Sequence, residues 1–116
     1  MIVDERSYTL RSGVMKDFLD IIRADIIPIQ KKILGNLLGY FCTEVGVLNQ
    51  VVHLWAYEDM ADRERRRAEL AAYPNWREIG ERVRPMIIAQ ENRLLVATDF
   101  GAPLLRPADH AESVSG

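Results

Sequence analysis

The sequence predicts a single α+β domain built on an antiparallel sheet, in the order strand–helix–strand–strand–helix–strand. Three observations carry that expectation. Ile2 to Arg11 reads as a strand and leads into a long helical apolar stripe. Two strand-like runs, 37–45 and 49–57, flank Gly46-Val47-Leu48, a hairpin signal. A second helical region then separates that hairpin from a last apolar run, Leu94 to Phe100. With 116 residues, 48% of them hydrophobic, the chain has room for one core.

Each element has its own signal. Tyr8, Thr9 and Leu10 favour a strand, and Ser12-Gly13 marks a turn in which Ser12 is placed to cap the following helix. Met15, Phe18, Ile22, Ile26, Ile29 and Ile33 recur at three- and four-residue steps, one face of an amphipathic helix. Pro28 lies inside that stripe and predicts a kink, because it lacks the helical N–H and crowds the carbonyl four residues earlier. Gly35-Asn36 supplies the stop.

In the hairpin, an even loop sets Val45 against Gln50, Cys42 against His53, Tyr40 against Trp55 and Leu38 against Tyr57. Tyr40, Cys42, Glu44, His53, Trp55 and Tyr57 then share one face, and Phe41, Thr43, Val45, Val52, Leu54 and Ala56 the other. An odd loop flips one strand. Asp59 caps a helix running to about Tyr73, with Asp62–Arg66 and Arg65–Glu69 at ion-pair spacing. After Pro74-Asn75, a further helix is expected with Trp76, Ile79, Val83, Met86 and Ile87 on one side, bent at Pro85. The folded domain is expected over 1–101, with an extended arm and loose tail over 102–116.

This order is the ferredoxin-like βαββαβ arrangement, with both helical layers on one face of the sheet. A second face left bare and apolar requires a partner. Two such sheets packed face to face make a homodimer, a dimeric α+β barrel.

Composition narrows function. The net charge of −2 gives no field for nucleic acid or an anionic membrane, and residues 58–69 set five acids against four arginines. One cysteine, Cys42, forms no intrachain disulfide, and the first residues lack signal-peptide character. A cytoplasmic, membrane-free protein is the expectation.

The run Val51-Val52-His53-Leu54-Trp55-Ala56-Tyr57-Glu58-Asp59-Met60-Ala61-Asp62-Arg63, with Arg66-Arg67 and then Pro74-Asn75-Trp76, resembles the NIPSNAP family. Arg11-Ser12-Gly13 and Gly39-Tyr40-Phe41-x-Thr43-Glu44-x-Gly46-x-Leu48-Asn49-Gln50 fit the same pattern. The resemblance covers almost all of 3–100. It implies a dimeric α+β barrel and no particular reaction. Other barrels of this architecture include haem-degrading enzymes and cofactor-independent monooxygenases, an analogy of fold alone.

The candidate site is the row His53, Trp55, Tyr57 beside an arginine-rich helix. His53 reads as a general base or a polar anchor for a carbonyl or carboxylate, or else as a core histidine satisfied by Glu44 or a backbone carbonyl. Tyr57 is the second catalytic candidate. Trp55 and Trp76 offer stacking surfaces for a planar ligand, or simply packing. Arg63 and Arg67, four residues apart, can grip one anion, or pair with acids such as Asp59 or Glu64.

Zinc would need three or four convergent ligands, which one cysteine and one strand histidine do not supply, so no metal site is expected. No glycine-rich phosphate loop or serine nucleophile motif occurs. A Cys42–His53 nucleophile pair fits the even register, although a small buried cysteine is the plainer expectation. No cofactor is implied, and haem on His53 is the first one to try. Two readings follow. One is a small-molecule site, catalytic or binding, for an anionic or planar ligand. The other is a non-catalytic interaction module whose aromatic row serves folding and dimerisation.

Overall fold

A computed structural model describes residues 1–102. The expected arm and tail, 102–116, lie outside the described residues except for Ala102. The elements are β1 (Ile2–Leu10), α1 (Met15–Ile21), a π-helical segment (Ile22–Ile26), α2 (Ile27–Leu34), β2 (Asn36–Cys42), β3 (Gln50–Tyr57), α3 (Met60–Ala71), α4 (Trp76–Glu81), a 3-10 turn (Arg84–Met86) and β4 (Ile87–Val96). The sheet is antiparallel with strand order β2-β3-β1-β4, so the ferredoxin-like arrangement holds.

The first helix follows its apolar stripe. Phe18, Ile22, Ile26 and Ile33 are buried against the sheet. Pro28 perturbs it as expected, and the form of the perturbation is a π segment just ahead of Ile27-Pro28. The wider turn accommodates a residue that cannot donate and that crowds the preceding turn. Ser12 does not cap α1. Val14 holds the cap position, no side chain bonds there, and Gly13 at φ 85° turns the chain instead.

The stop at Gly35 is confirmed, with φ 91° and its N–H donated to the Lys31 carbonyl. Arg66 of α3 reaches the Ile33 and Leu34 carbonyls at the same helix end (3.2 and 3.4 Å). A cation at a helix C-terminus is favourably placed, so this side chain ties α3 to α2.

The hairpin register differs from the expected one by two residues. Tyr40 pairs with His53, Phe41 with Val52 and Cys42 with Val51, with a bulge between Leu37 and Gly39. From Tyr40 to Cys42 a slip of two preserves the face of each side chain, so Tyr40 still shares a face with His53, Trp55 and Tyr57. The bulge instead sets Leu37 against Trp55 and leaves Leu38 exposed in place of the expected Leu38–Tyr57 pair. The slip arises because β2 ends at Cys42 and leaves a longer loop than Gly46-Val47-Leu48 alone. Cys42 is exposed and does not face His53, so neither the buried cysteine nor the nucleophile pair survives.

Asp59 caps α3 by accepting from the Asp62 N–H at 2.8 Å. Asp62 pairs with Arg66, as expected, and also with Arg65, which takes it in place of Glu69. The last helix is shorter than its apolar spacing suggested, ending at Glu81, and Pro85 sits in a 3-10 turn. β4 starts at Ile87 rather than Leu94 because it pairs along the whole of β1, a length set by its partner and not by its own polar sequence.

The helix-facing side of the sheet carries Asp4, Arg6, Tyr8, His53, Trp55 and Tyr57, which the register aligns across β1 and β3. On the other side, β2 and β3 present Phe41, Val52, Leu54 and Ala56, apolar as expected. Across β1 and β4 that side turns polar, with Glu5 bonded to Arg93 at 2.7 Å. No helix among the described residues is long and apolar enough to cross a membrane.

Candidate functional site

The buried residues fall into two apolar clusters. One gathers Leu10, Phe18, Ile22, Ile26, Val51 and Val83, and the other Ile33, Leu34, Trp55, Tyr57 and Leu70. Between them, under the helices, lies a cavity of about 200 Å³ whose wall includes residues of both. Its polar wall is made by Arg6, Tyr8, Gln30, Tyr40, His53, Arg67, Arg84 and Gln90, with Trp55 and Trp76 beside them; Arg84 is ion-paired with Glu81.

His53 is held from three directions. Tyr40 stacks on it at 4.6 Å between centroids and 12° between planes, while Tyr8 meets it edge-on at 5.0 Å. The Trp55 indole N–H donates to His53 Nδ1 at 2.7 Å. An indole nitrogen can only donate, so Nδ1 is the unprotonated nitrogen and the neutral ring carries its proton on Nε2. Nε2 is buried without a hydrogen-bond partner among the described residues. The expected partner, Glu44, is exposed in the hairpin loop and plays no part.

Burial pushes the imidazole down from 6.5 to about 3; the positive charge of Arg6 adds to that shift, Asp4 opposes it and Arg67 adds a little more. His53 is therefore a neutral donor at ordinary pH. In that state Nε2 has no lone pair to accept a proton, so the geometry suits an anchor for an acceptor atom and not a general base.

Beside it lies a buried charge cluster that the sequence reading missed. Asp4, fully buried on β1, accepts from Arg6 (3.3 Å), from Arg63 of α3 (3.2 Å) and from Asn92 of β4 (3.2 Å). Arg6 also donates to the Tyr8 hydroxyl at 3.2 Å. Arg63 is thus committed to Asp4, neither to a ligand nor to Asp59 or Glu64. Arg67, one turn further along α3, is half-buried on the cavity wall with no hydrogen bond or ion pair among the described residues. The same alternation that drew attention to His53, Trp55 and Tyr57 places Asp4, Arg6 and Tyr8 on one face of β1, a signal available in the sequence.

The structure therefore brings His53, Trp55, Arg67 and Trp76 to one cavity. Tyr57 stands apart from its wall, buried with Ile33, Leu34 and Leu70, its hydroxyl without a partner and its pKa raised by burial. A haem does not fit. It has roughly forty non-hydrogen atoms and needs several times this volume, and His53 offers an N–H where iron needs a lone pair. Among the described residues no cluster of three or more His, Cys, Asp or Glu could hold a metal ion.

A NIPSNAP family model matches residues 3–102. The chain belongs to the NIPSNAP family. Its curated NIPSNAP relatives include Protein NipSnap homolog 2 of Danio rerio, 32% identical over 95 residues, which span 82% of this chain and 32% of that protein. The human homolog 2 is 34% identical over 96 residues, again 82% of this chain and 32% of the relative. The chain thus spans about a third of the length of these relatives.

Among solved structures, a NIPSNAP family protein from Agrobacterium tumefaciens is 45% identical with TM-score 0.84, covering 86% of this chain and 95% of that one. A NIPSNAP-like domain protein from Burkholderia xenovorans is 45% identical with TM-score 0.86, covering 91% of each chain. A putative antibiotic biosynthesis monooxygenase from Nitrosomonas europaea, at 14% identity and TM-score 0.61, covers 84% of this chain and 98% of its own and shares the fold alone.

Two outcomes are expected of this NIPSNAP domain. Asp4→Asn leaves two guanidinium groups facing each other without a charged partner and should destabilise the fold by ~3–5 kcal/mol in denaturant unfolding, since breaking a buried pair strands its charges. His53 is expected to make stability depend on pH. Its folded pKa lies below its unfolded value, so the unfolded chain binds the extra proton. The His53 contribution is full above about pH 6.5 and is lost as pH falls toward 3, at up to ~1.4 kcal/mol per pH unit. His53→Asn keeps an acceptor for Trp55 but does not titrate. Thermal melts at about pH 7 and pH 5 should show a smaller loss in that variant, and equal losses would contradict the assignment.

Proposed function

We propose that this domain binds a small molecule carrying negative charge and a hydrogen-bond acceptor, in the cavity between sheet and helices, within a homodimer. The observation that carries the reading is the buried, unpartnered Nε2–H of His53 on the same wall as the uncompensated Arg67. A buried donor without a partner costs ~1–3 kcal/mol, and a half-buried guanidinium without a counter-charge adds to that cost. An anionic acceptor relieves both. Trp55 fixes the His53 tautomer, and Trp76 closes the wall beside it. The donors are sufficient to hold such a ligand without a cofactor, and any catalysis would act on a molecule polarised by His53 and Arg67.

Fragment soaks test this reading. Acetate, acetamide, cyclopentanone and benzoate should include at least one that places an oxygen within hydrogen-bond reach of His53 Nε2. Leu70→Trp, which fills the cavity, should abolish that binding. A cavity that stays empty with all four supports the other reading, an interaction module. That reading draws on the hairpin tip, where Val45, Val47 and Leu48 are 92%, 59% and 76% exposed.

The homodimer is supported by the outer face of β2 and β3, where Phe41 is 58% exposed beside the apolar Val52 and Leu54. Light scattering should give about twice the 13.3 kDa chain mass. Phe41→Glu should shift the population toward the monomer. A clean monomer at micromolar concentration would remove the barrel from the proposal.

A further inference from the structure

We infer, resting on the binding reading above, that the ligand is a compact monocarboxylic acid with a branched or cyclic apolar body. Charge comes first. Arg6 and Arg63 share the single buried carboxylate of Asp4. Arg84, also on the wall, is paired with Glu81. Among the described residues Arg67 is therefore the wall guanidinium without an ion-pair partner, and its planar fork suits the two oxygens of a carboxylate. His53 adds one neutral N–H. A phosphate ester, with up to two negative charges, would meet a single unpaired guanidinium, because Arg6 is committed to Asp4 and to Tyr8 and Arg84 to Glu81, while Gln30 and Gln90 add only neutral amides.

The remaining wall sets the body of the ligand. Phe18, Ile22, Ile26, Leu34, Leu70 and Val83 line the apolar side of the space where the two core clusters fail to meet, with Gln30, Arg84 and Gln90 elsewhere on its wall. Ile22 and Ile26 are the ends of the π segment, so the widened turn that accommodates Pro28 also shapes this wall. A cavity of about 200 Å³ admits a molecule of ~10 non-hydrogen atoms, smaller than a drug-sized ligand or a nucleotide. An apolar body there gains burial that a hydroxylated acid does not.

The chain's two tryptophans, Trp55 and Trp76, both line the cavity, so tryptophan fluorescence, excited selectively over tyrosine, reports from its wall. Cyclohexanecarboxylate, cyclohexylmethanol and cyclohexyl phosphate, titrated into the full chain, share one body and differ in the head group. The acid should give a saturable change at least tenfold tighter than either of the others. Arg67→Met should bring the acid to the level of the alcohol measured in the same variant. Arg67→Lys, which keeps charge but not the planar fork, should lose part of the preference and serves if the Met variant does not fold.

Equal binding of acid and alcohol, tighter binding of the phosphate, or an acid preference that survives Arg67→Met overturns the carboxylate assignment while leaving a small-molecule cavity in place. No saturable change with any of the three overturns it as well. If the soaks described above are then also empty, the binding reading falls with it.

Discussion

Asp4 is the constraint on which the arrangement of this domain depends. It is a carboxylate with no access to solvent on the central strand β1, and it is bonded to its own strand, to α3 and to β4. Removing such a charge from water is costly unless its oxygens are fully engaged. α3 must therefore lie where Arg63 can reach β1. Once that distance is set, helical geometry places Arg67 on the same face one turn later, over His53 and the cavity. The position of the candidate ligand cation is a consequence of a structural ion pair four residues away.

A second layer of constraint acts on His53. Tyr40 from β2, Tyr8 from β1 and Trp55 from its own strand leave the imidazole a single orientation and a single tautomer. Burial, helped by the positive charge of Arg6, keeps it neutral, and the indole N–H assigns its proton to Nε2. A ring satisfied on one nitrogen and left open on the other is neither a plain core histidine nor a base poised for proton transfer. It is a fixed donor on the wall of a small cavity.

The cavity itself records a failure of two apolar clusters to merge. Had the helix-facing residues of β1 been apolar, the space under the helices would have closed into one core. Arg6, Tyr8 and Asp4 occupy that position instead, and their polar ends need room and partners. The fold is shared with enzymes of the monooxygenase type, but the wall residues decide chemistry, and fold alone does not.

The sequence by itself determined the element order, the sheet type and the faces. Period-two alternation in 51–57 and the three-to-four spacing from Met15 to Ile33 are local patterns that survive any tertiary arrangement. From Tyr40 to Cys42 the faces survived even the two-residue slip of the hairpin, because strand periodicity is two, and they changed only at Leu37 and Leu38, beyond the bulge. His53, Trp55, Arg67 and Trp76 were legible for the same reason, as unusual residues on a readable face.

The tertiary structure alone decided the partners. Arg63 meets Asp4 across 59 residues and Asn92 meets it across 88, separations on which local spacing carries no information. The extent of β4 was set by β1, and the exposure of Cys42 by the register of β2. The role of His53 as donor rather than base rests on one hydrogen bond from Trp55, which depends on rotamer and packing. Residue type and spacing place a side chain on a face; only packing fixes which atom it offers.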